Sequence, residues 1–295
     1  MEHLFSIVTS VYNGEQFIER AIKSVVDQTE KDYEYIIVDN GSTDRTAQIL
    51  DENKNKYSDI DIKIISVNEN RGISGGRNTG IFAATGKYVC FLDADDYWLD
   101  NKLSTVKKNM EDHPEISVFC HWELHQSKKE QTIGKYRSVN NINPYTDLLF
   151  NGNCLSTSAV SVCREKICEI GGFDEKLVCG EEDYDCWLRL AQIGALFWTI
   201  EEPLGVWTIR DDSVSAKLVN HTEAVVEVVQ KHLGYCHIST KQQNHIIAVY
   251  WVGCGRQLAR SKNYKESNKM YKKALKIYPR NVKAIVGQVM NLLHI

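Results

Sequence analysis

The sequence predicts an α/β fold, a mostly parallel sheet covered on both faces by helices, with an all-helical C-terminal extension. Three observations carry this. The first 112 residues alternate short, unbroken apolar runs with stretches of helical period, the pattern of buried parallel strands and their crossover helices. The runs end in polar, turn-rich clusters at Thr9–Asn13, Asp39–Asp44 and Asp93–Asp96, where ligands of such sheets bind. After Ser215 only helical patterning continues, without proline until Pro279.

In order, Phe5–Thr9 reads as a strand ending at the turn Tyr12-Asn13-Gly14. Phe17, Ile18, Ala21, Ile22, Val25 and Val26 then fall on one helical face. Tyr35–Val38 is a second strand, closed by Asp39-Asn40-Gly41-Ser42, and Thr43 or Asp44 caps a helix reaching about Lys56. Ile62–Val67 is a third strand, Ser74–Ala84 a third helix, and Lys87–Leu92 a fourth strand running into Asp93-Ala94-Asp95-Asp96. Farther on, Ile116–Trp122 and Leu155–Cys163 read as strands, Glu182–Gln192 as a helix, and Ala195–Ile200 with Leu204–Ile209 as a strand pair. These elements divide the chain into an α/β half (1–112), a second half of the same domain (113–215) and a helical extension (216–295).

Composition narrows the function. The 295 residues suffice for about two domains. With 43% hydrophobic and 25% charged residues, disordered, collagen-like and coiled-coil classes fall away. A net charge of -4 argues against nucleic acid as the partner. Nine cysteines without a C-x-x-C pair fit buried free thiols of a reducing compartment. The N-terminus lacks the basic-then-apolar pattern of a signal peptide, and no window approaches the ~20 apolar residues of a membrane span. A cytoplasmic protein is expected.

The charge is uneven. Residues 256–283 hold ten bases and one acid, Glu266. That is a net of +9 in a chain totalling -4, so the remainder carries -13. A basic helical tail next to an acidic body is a candidate for an anionic membrane surface.

Asp93 and Asp95, one residue apart at a strand end, can share a hard divalent cation, magnesium or manganese. Taken alone, the pair also suits an acidic surface turn. It does not stand alone. Ser6–Gly14, Ile37–Asp44, Asn70-Arg71-Gly72, Arg77–Gly80, Phe91–Asp96, Gly171–Glu175 and Glu182–Arg189 follow in order. This series resembles the family-2 glycosyltransferases, enzymes of the Rossmann-like GT-A fold with a nucleotide-sugar donor. The resemblance spans about 4–215.

The resemblance implies roles. Thr9, Tyr12 and Asp39 match the nucleoside contacts, and Arg71 and Arg77 the basic positions near the diphosphate. Asp93 matches the sugar and ribose contact and a metal-site carboxylate, Asp95 the metal ligand, and Asp183 the base that deprotonates the acceptor. Glu182 is the rival base, and Trp187 an aromatic that either stacks on a sugar or fills the core. The implied function is a metal-dependent, inverting transfer from a UDP-sugar or other nucleotide sugar to a glycan or lipid-linked glycan of bacterial surface polysaccharide, at the inner face of the plasma membrane.

Three positions depart from the family pattern. Ser10 replaces a usual proline, and Asn40 the second acid of the usual D-D-G-S. Arg210 stands where a metal- or diphosphate-reaching histidine is common; arginine cannot ligate a metal but clamps a diphosphate. Two other readings remain open. A nucleotidyltransferase would also use D-x-D but wants a basic, glycine-rich loop after the first strand, unlike Val11–Glu15. A non-catalytic scaffold would act through its tail and let the carboxylates decay, whereas Asp93, Asp95 and Asp183 are intact. Residues 248–281 fit one tetratricopeptide-like hairpin, with Trp251, Gly255, Leu258, Tyr264, Tyr271, Ala274 and Pro279 at its spacings, and Cys254 and Ser267 replacing leucine and alanine.

Overall fold

The computed structural model describes residues 3–177, 180–210, 218–236 and 238–293. The chain divides into two compact units, Met1–Val178 with Asp185–Arg210, and Cys179–Tyr184 with Asp211–Ile295.

The first unit opens with β1 (Phe5–Val11), α1 (Ile18–Val26), β2 (Tyr33–Asp39), α2 (Thr46–Lys56), β3 (Ile62–Ser66), α3 (Gly72–Ala83) and β4 (Tyr88–Phe91). These strands lie in the order β3-β2-β1-β4, every pair parallel. All seven residues of β2 are buried: the apolar run Tyr35–Val38 suits a strand with helices on both faces, and the buried Glu34 accepts from Ser6 Oγ (2.6 Å). Helix α3 lies close against β1. A Cβ on Gly76 would sit 2.0 Å from Ser10 Oγ, and one on Gly80 2.3 Å from Val8 Cγ1. Gly76 therefore serves helix–strand packing, and a small serine at position 10 belongs to the same close approach.

The unit continues with β5 (Tyr97–Trp98), α4 (Lys102–Asp112), β6 (Val118–Gln126), β7 (Gln131–Gly134), α5 (Pro144–Asn151), β8 (Val160–Cys163), α6 (Arg164–Glu169), α7 (Glu182–Gln192, in this unit from Asp185) and β9 (Phe197–Thr208). The sheet extends β4-β8-β6-β9-β5, with β7 beside β6. Strand β8 runs antiparallel to β4 and β6, while β9 is parallel to β6. The nine-stranded sheet is thus parallel through its first half and mixed beyond it.

Two expectations are corrected here. Leu155–Cys163 is not one strand: Thr157–Ala159 form a 3₁₀ turn and only Val160–Cys163 are extended. The pair expected at 195–200 and 204–209 is the single strand β9. Its ladder with β6 shifts register around Trp122, opposite Pro203. Proline has no N–H for the ladder, so a bulge there interrupts the pattern without ending the strand.

The second unit holds α8 (Leu218–Leu233), α9 (Thr240–Arg260), α10 (Tyr264–Ile277) and α11 (Val282–Leu293). Ser239 and Gln242 form a capping box that starts α9, and Asn263 caps α10. Helices α9 and α10 make the expected hairpin. Gly255 admits the Tyr271 ring, which a Cβ there would meet at 2.5 Å. The unusual Ser267 is buried and satisfied, donating to Gly255 O (2.6 Å) and accepting from Asn291 Nδ2 of α11 (2.8 Å). Cys254 Sγ donates to Thr222 O of α8 (3.2 Å). The hairpin is flanked by α8 and α11, which cover what one repeat cannot bury alone.

Candidate active site

Because β1, β2 and β4 are parallel neighbours, their C-terminal ends open on one edge of the sheet. The β1–α1 and β2–α2 loops are laced together. Asn13 N donates to Ser42 Oγ (3.0 Å), and Thr43 N donates back to Asn13 Oδ1 (2.8 Å). Asn13 adopts φ 52°, a left-handed conformation asparagine tolerates. Asp39 is buried and accepts from Ser42 N (3.0 Å), while Thr9 is buried against the Tyr35 hydroxyl (3.0 Å). Tyr12 is exposed beside them. Asn40 has a role an aspartate could not fill. Its amide donates to Gly72 O (2.9 Å) and Asn70 Oδ1 (3.1 Å), and its Oδ1 accepts from Arg71 N (3.2 Å).

At the end of β4 the four residues 93–96 have separate duties. Asp93 N donates to Ser158 Oγ (3.1 Å), and that hydroxyl donates to Asp96 Oδ2 (2.6 Å). Thr208 N donates to Asp96 Oδ1 (2.8 Å). Asp96 is buried, and burial pushes its carboxyl well above the usual range. It ties the loop to the 3₁₀ turn and β9. Asp93 and Asp95 stay partly exposed and each meets an arginine: Arg77 Nη2 to Asp93 Oδ1 at 2.7 Å, and Arg210 Nη1 to Asp95 Oδ2 at 3.1 Å. The Arg210 guanidinium also lies 4.0 Å over the Phe17 ring. Arg20 supports the same turn, donating to Asp95 O (2.6 Å) and Thr208 Oγ1 (2.9 Å). Arg71 points differently, pairing with Glu175 (3.0 Å). Asn78 joins the Gly171–Glu175 segment to α3 through Phe173 O (2.9 Å), Phe173 N (2.8 Å) and Glu175 Oε1 (3.0 Å).

Asp95 is raised above the ordinary carboxylate range, first by burial and then by the like charge of Asp93, with Arg210 offsetting part of this. Two crowded carboxylates are the hard oxygen donors that magnesium or manganese prefers. No cluster of three or more acidic, histidine or cysteine ligands occurs among the described residues. The donor set therefore fits a cation that takes its remaining ligands from water and substrate phosphates.

Asp183 lies in the second unit, in the first turn of α7. It is partly exposed and accepts from Tyr184 N (2.6 Å), while the rival Glu182 is buried. The residue before them, Glu181, takes φ 71°, and its carboxylate pairs with His221 Nε2 of α8 (2.8 Å). The Tyr184 and Tyr250 hydroxyls meet at 3.2 Å. Trp187 is wholly buried, edge-on to Phe173 at 6.1 Å, and belongs to the core, with no ring face open to a sugar. Trp98 is likewise buried, under the Lys102 ammonium at 3.8 Å.

Sequence reasoning missed Glu123. It is fully buried on β6, accepts from the Tyr136 hydroxyl (2.6 Å), and is pushed up to about 7 by burial. An acid inside Phe119-Cys120-His121-Trp122-Glu123-Leu124 was the available signal. His121 beside it is buried, held neutral at about 3 by burial and the Lys102 charge.

A fold with parallel-strand ends converging on an arginine-flanked D-x-D turn defines the nucleotide-sugar glycosyltransferase class. The Glycosyl transferase family 2 profile matches residues 6–164, and the chain belongs to that family. It is 30% identical over 215 residues to the putative teichuronic acid biosynthesis glycosyltransferase TuaG of Bacillus subtilis, covering 72% of this chain and 82% of TuaG. It is 32% identical over 192 residues to WfaP of Escherichia coli, a UDP-Glc:alpha-D-GlcNAc-diphosphoundecaprenol beta-1,3-glucosyltransferase, covering 65% and 71%. Among solved structures, S. aureus TarS 1-349 with UDP superposes with TM-score 0.67 at 17% identity, over 99% of this chain and 89% of TarS. The mannosyltransferase PcManGT of Pyrobaculum calidifontis, solved with GDP-Man and Mn2+, superposes with TM-score 0.62 at 18% identity, over 99% and 88%. These likenesses establish the GT-A fold with a helical extension.

Proposed function

We propose that this glycosyltransferase is metal-dependent and inverting, and moves one sugar from a UDP-sugar to a hydroxyl of a lipid-linked glycan during polysaccharide assembly, at the inner face of a membrane. The observation that carries the reading is the Asp93/Asp95 pair at the end of β4, with Arg77 and Arg210 on its two carboxylates. WfaP supports the donor and the lipid-diphosphate acceptor, and TuaG the polysaccharide setting.

In this reading Thr9, Tyr12 and Asp39 hold the nucleoside, Arg210 binds the anionic diphosphate, and Arg77, almost wholly buried, adds positive charge beside it through its pair with Asp93. Arg71, engaged by Glu175, would have to exchange that partner to join them. Asp93 and Asp95 would hold magnesium or manganese, which supplies positive charge where the leaving diphosphate develops its own. The acceptor oxygen forms a bond to the anomeric carbon as the bond to the diphosphate breaks. Asp183 takes the hydroxyl proton, and the electron pair departs with the nucleoside diphosphate. Its partly exposed carboxylate in the first turn of α7, where the helix dipole favours the ionised form, suits a base better than buried Glu182.

A panel of nucleotide sugars with manganese, scored by slow nucleotide release, identifies the donor. One member should be hydrolysed, and EDTA should stop it; undiminished turnover in EDTA rejects the metal. With an acceptor in hand, Asp183→Asn should lower transfer by roughly 10²–10⁴-fold with donor binding retained. Near-normal transfer in Asp183→Asn, beside an inactive Glu182→Gln, would move the base to Glu182.

A further inference from the structure

Helix α11 is turned inside out relative to an ordinary surface helix. Its inward side is Ala284, Gly287 and Asn291, small or polar and buried. A Cβ on Gly287 would lie 2.4 Å from Tyr271 Cζ, and Asn291 Nδ2 donates to Ser267 Oγ (2.8 Å) and Asn268 Oδ1 (2.9 Å). The outward side is Val282, Ile285, Val286, Val289, Met290 and Leu293, at i, i+3, i+4, i+7, i+8 and i+11, all exposed. Close packing at Gly287 and the asparagine bonds fix the helix's rotation, so this stripe cannot turn inward. A contiguous exposed apolar stripe of this kind marks a binding surface.

The chemistry around the stripe selects the occupant. Lys283 lies on α11 and Arg280 just before it, both exposed. On α10, which packs against α11, Lys265, Lys269, Lys272 and Lys276 recur at i, i+4, i+7 and i+11, all exposed. Of these six cations only Lys269 has an acidic partner among the described residues, Glu266 at 2.7 Å. A second copy would bring two stretches of net +9 into one interface and be repelled. An anionic bilayer satisfies both features, taking the apolar stripe into its headgroup–acyl boundary and the cations at its phosphates.

We propose that α11 is an interfacial membrane-binding helix, seated on anionic lipid through its apolar stripe and held there by the lysines of α10 and α11 and by Arg280 between them. The stripe and its cations are independent of the assignment of donor and base; only their purpose, bringing the enzyme to a lipid-linked acceptor, rests on the proposed function.

The test is flotation of the full chain with vesicles of phosphatidylcholine alone or with about 30% phosphatidylglycerol, at low salt and about 0.5 M salt. Binding should require the anionic lipid and fall at least ~10-fold at high salt. Val286→Ser with Val289→Ser should weaken it by about 10-fold or more, with unchanged circular dichroism and unchanged donor hydrolysis. Lys272→Glu with Lys276→Glu should do the same through charge. No flotation at low salt overturns the proposal, as does binding indifferent to the valine changes. A dimer in light scattering that the valine changes abolish also overturns it, by making a second copy the occupant. Loss of donor hydrolysis in every protein, wild type included, would fault the proposed function and leave the lipid result to stand by itself.

Discussion

Arg77 and Arg210 each meet one acid of the D-x-D pair from very different settings. Arg77 is 3% exposed on α3 and is part of the built interior, whereas the Arg210 side chain is 23% exposed at the end of β9 and stacks on Phe17. If Arg210 binds diphosphate, Arg210→Ala should weaken UDP about 10-fold, close to one charge-assisted hydrogen bond, in calorimetry near neutral pH. Arg210→Lys should recover part of this, because the charge survives and the fork does not. Unchanged affinity in Arg210→Ala would confine Arg210 to its role beside Asp95. Glu123 supports a second prediction. Its carboxyl is raised to about 7, so the folded state binds a proton that the unfolded chain releases near 4.5. Stability owed to this group therefore falls as pH rises from about 4.5 to 7, by up to roughly 3 kcal/mol. Glu123→Gln, which still accepts from Tyr136, should raise the melting temperature at pH 8 and change it little at pH 4. A variant no more stable at pH 8 would show that the ionised form is better solvated than its burial implies.

At the start of α7 an ion pair ties the chain to α8. Glu181, strained at φ 71°, is tied to His221 of α8, and its carboxylate raises the imidazole above its usual range, with Asp183 and Glu182 adding to this and burial opposing it. A histidine raised on folding stabilises fully below its unfolded value near 6.5 and loses that contribution as pH climbs through the folded value. Wild type should exceed His221→Gln by about 1 kcal/mol at pH 6, in urea unfolding, with the gap narrowing toward pH 9. A gap that widens with pH would rule out the ion pair as its source. This tie was not legible in the sequence, because Glu181 and His221 are 40 residues apart and neither has a motif. Helix α4 was missed for a related reason. It buries Lys102, whose ammonium sits over Trp98 and donates to Ser161 (3.0 Å), so the position that should read apolar reads charged. By contrast β1, β2, α1 and β4 were legible because burial on one or two faces leaves a direct apolar record. Pro203 misled in the opposite sense, interrupting the pattern of β9 without interrupting the strand.

For the whole molecule, what could be read was the order of the motifs and the uneven charge; what could not was which side chains pair across the sheet. Arg210 was singled out as a departure from a histidine, yet its contact with Asp95 joins positions 115 apart that only the path of β9 beside β6 and β5 brings together. The charge distribution needed no fold. It makes a prediction that net charge alone would contradict. A chain of -4 should behave as an anion near neutral pH, but residues 256–283 carry +9 and the rest -13. Most of those bases are exposed on α9, α10 and the start of α11, and the Debye length at low salt, about 10 Å at 0.1 M, is shorter than a helix of this length. A charged resin in contact with that surface therefore feels the local charge rather than the total. The protein should be retained by both anion and cation exchangers at pH 7.5 and low salt. Charge reversal at Lys265, Lys272 and Lys276 makes the chain six charges more negative. It should release the protein from the cation exchanger at lower salt and hold it more firmly on the anion exchanger. If the wild type passes through a cation exchanger unretained at low salt, the basic stretch is neutralised within the fold and its exposed lysines do not act as one surface.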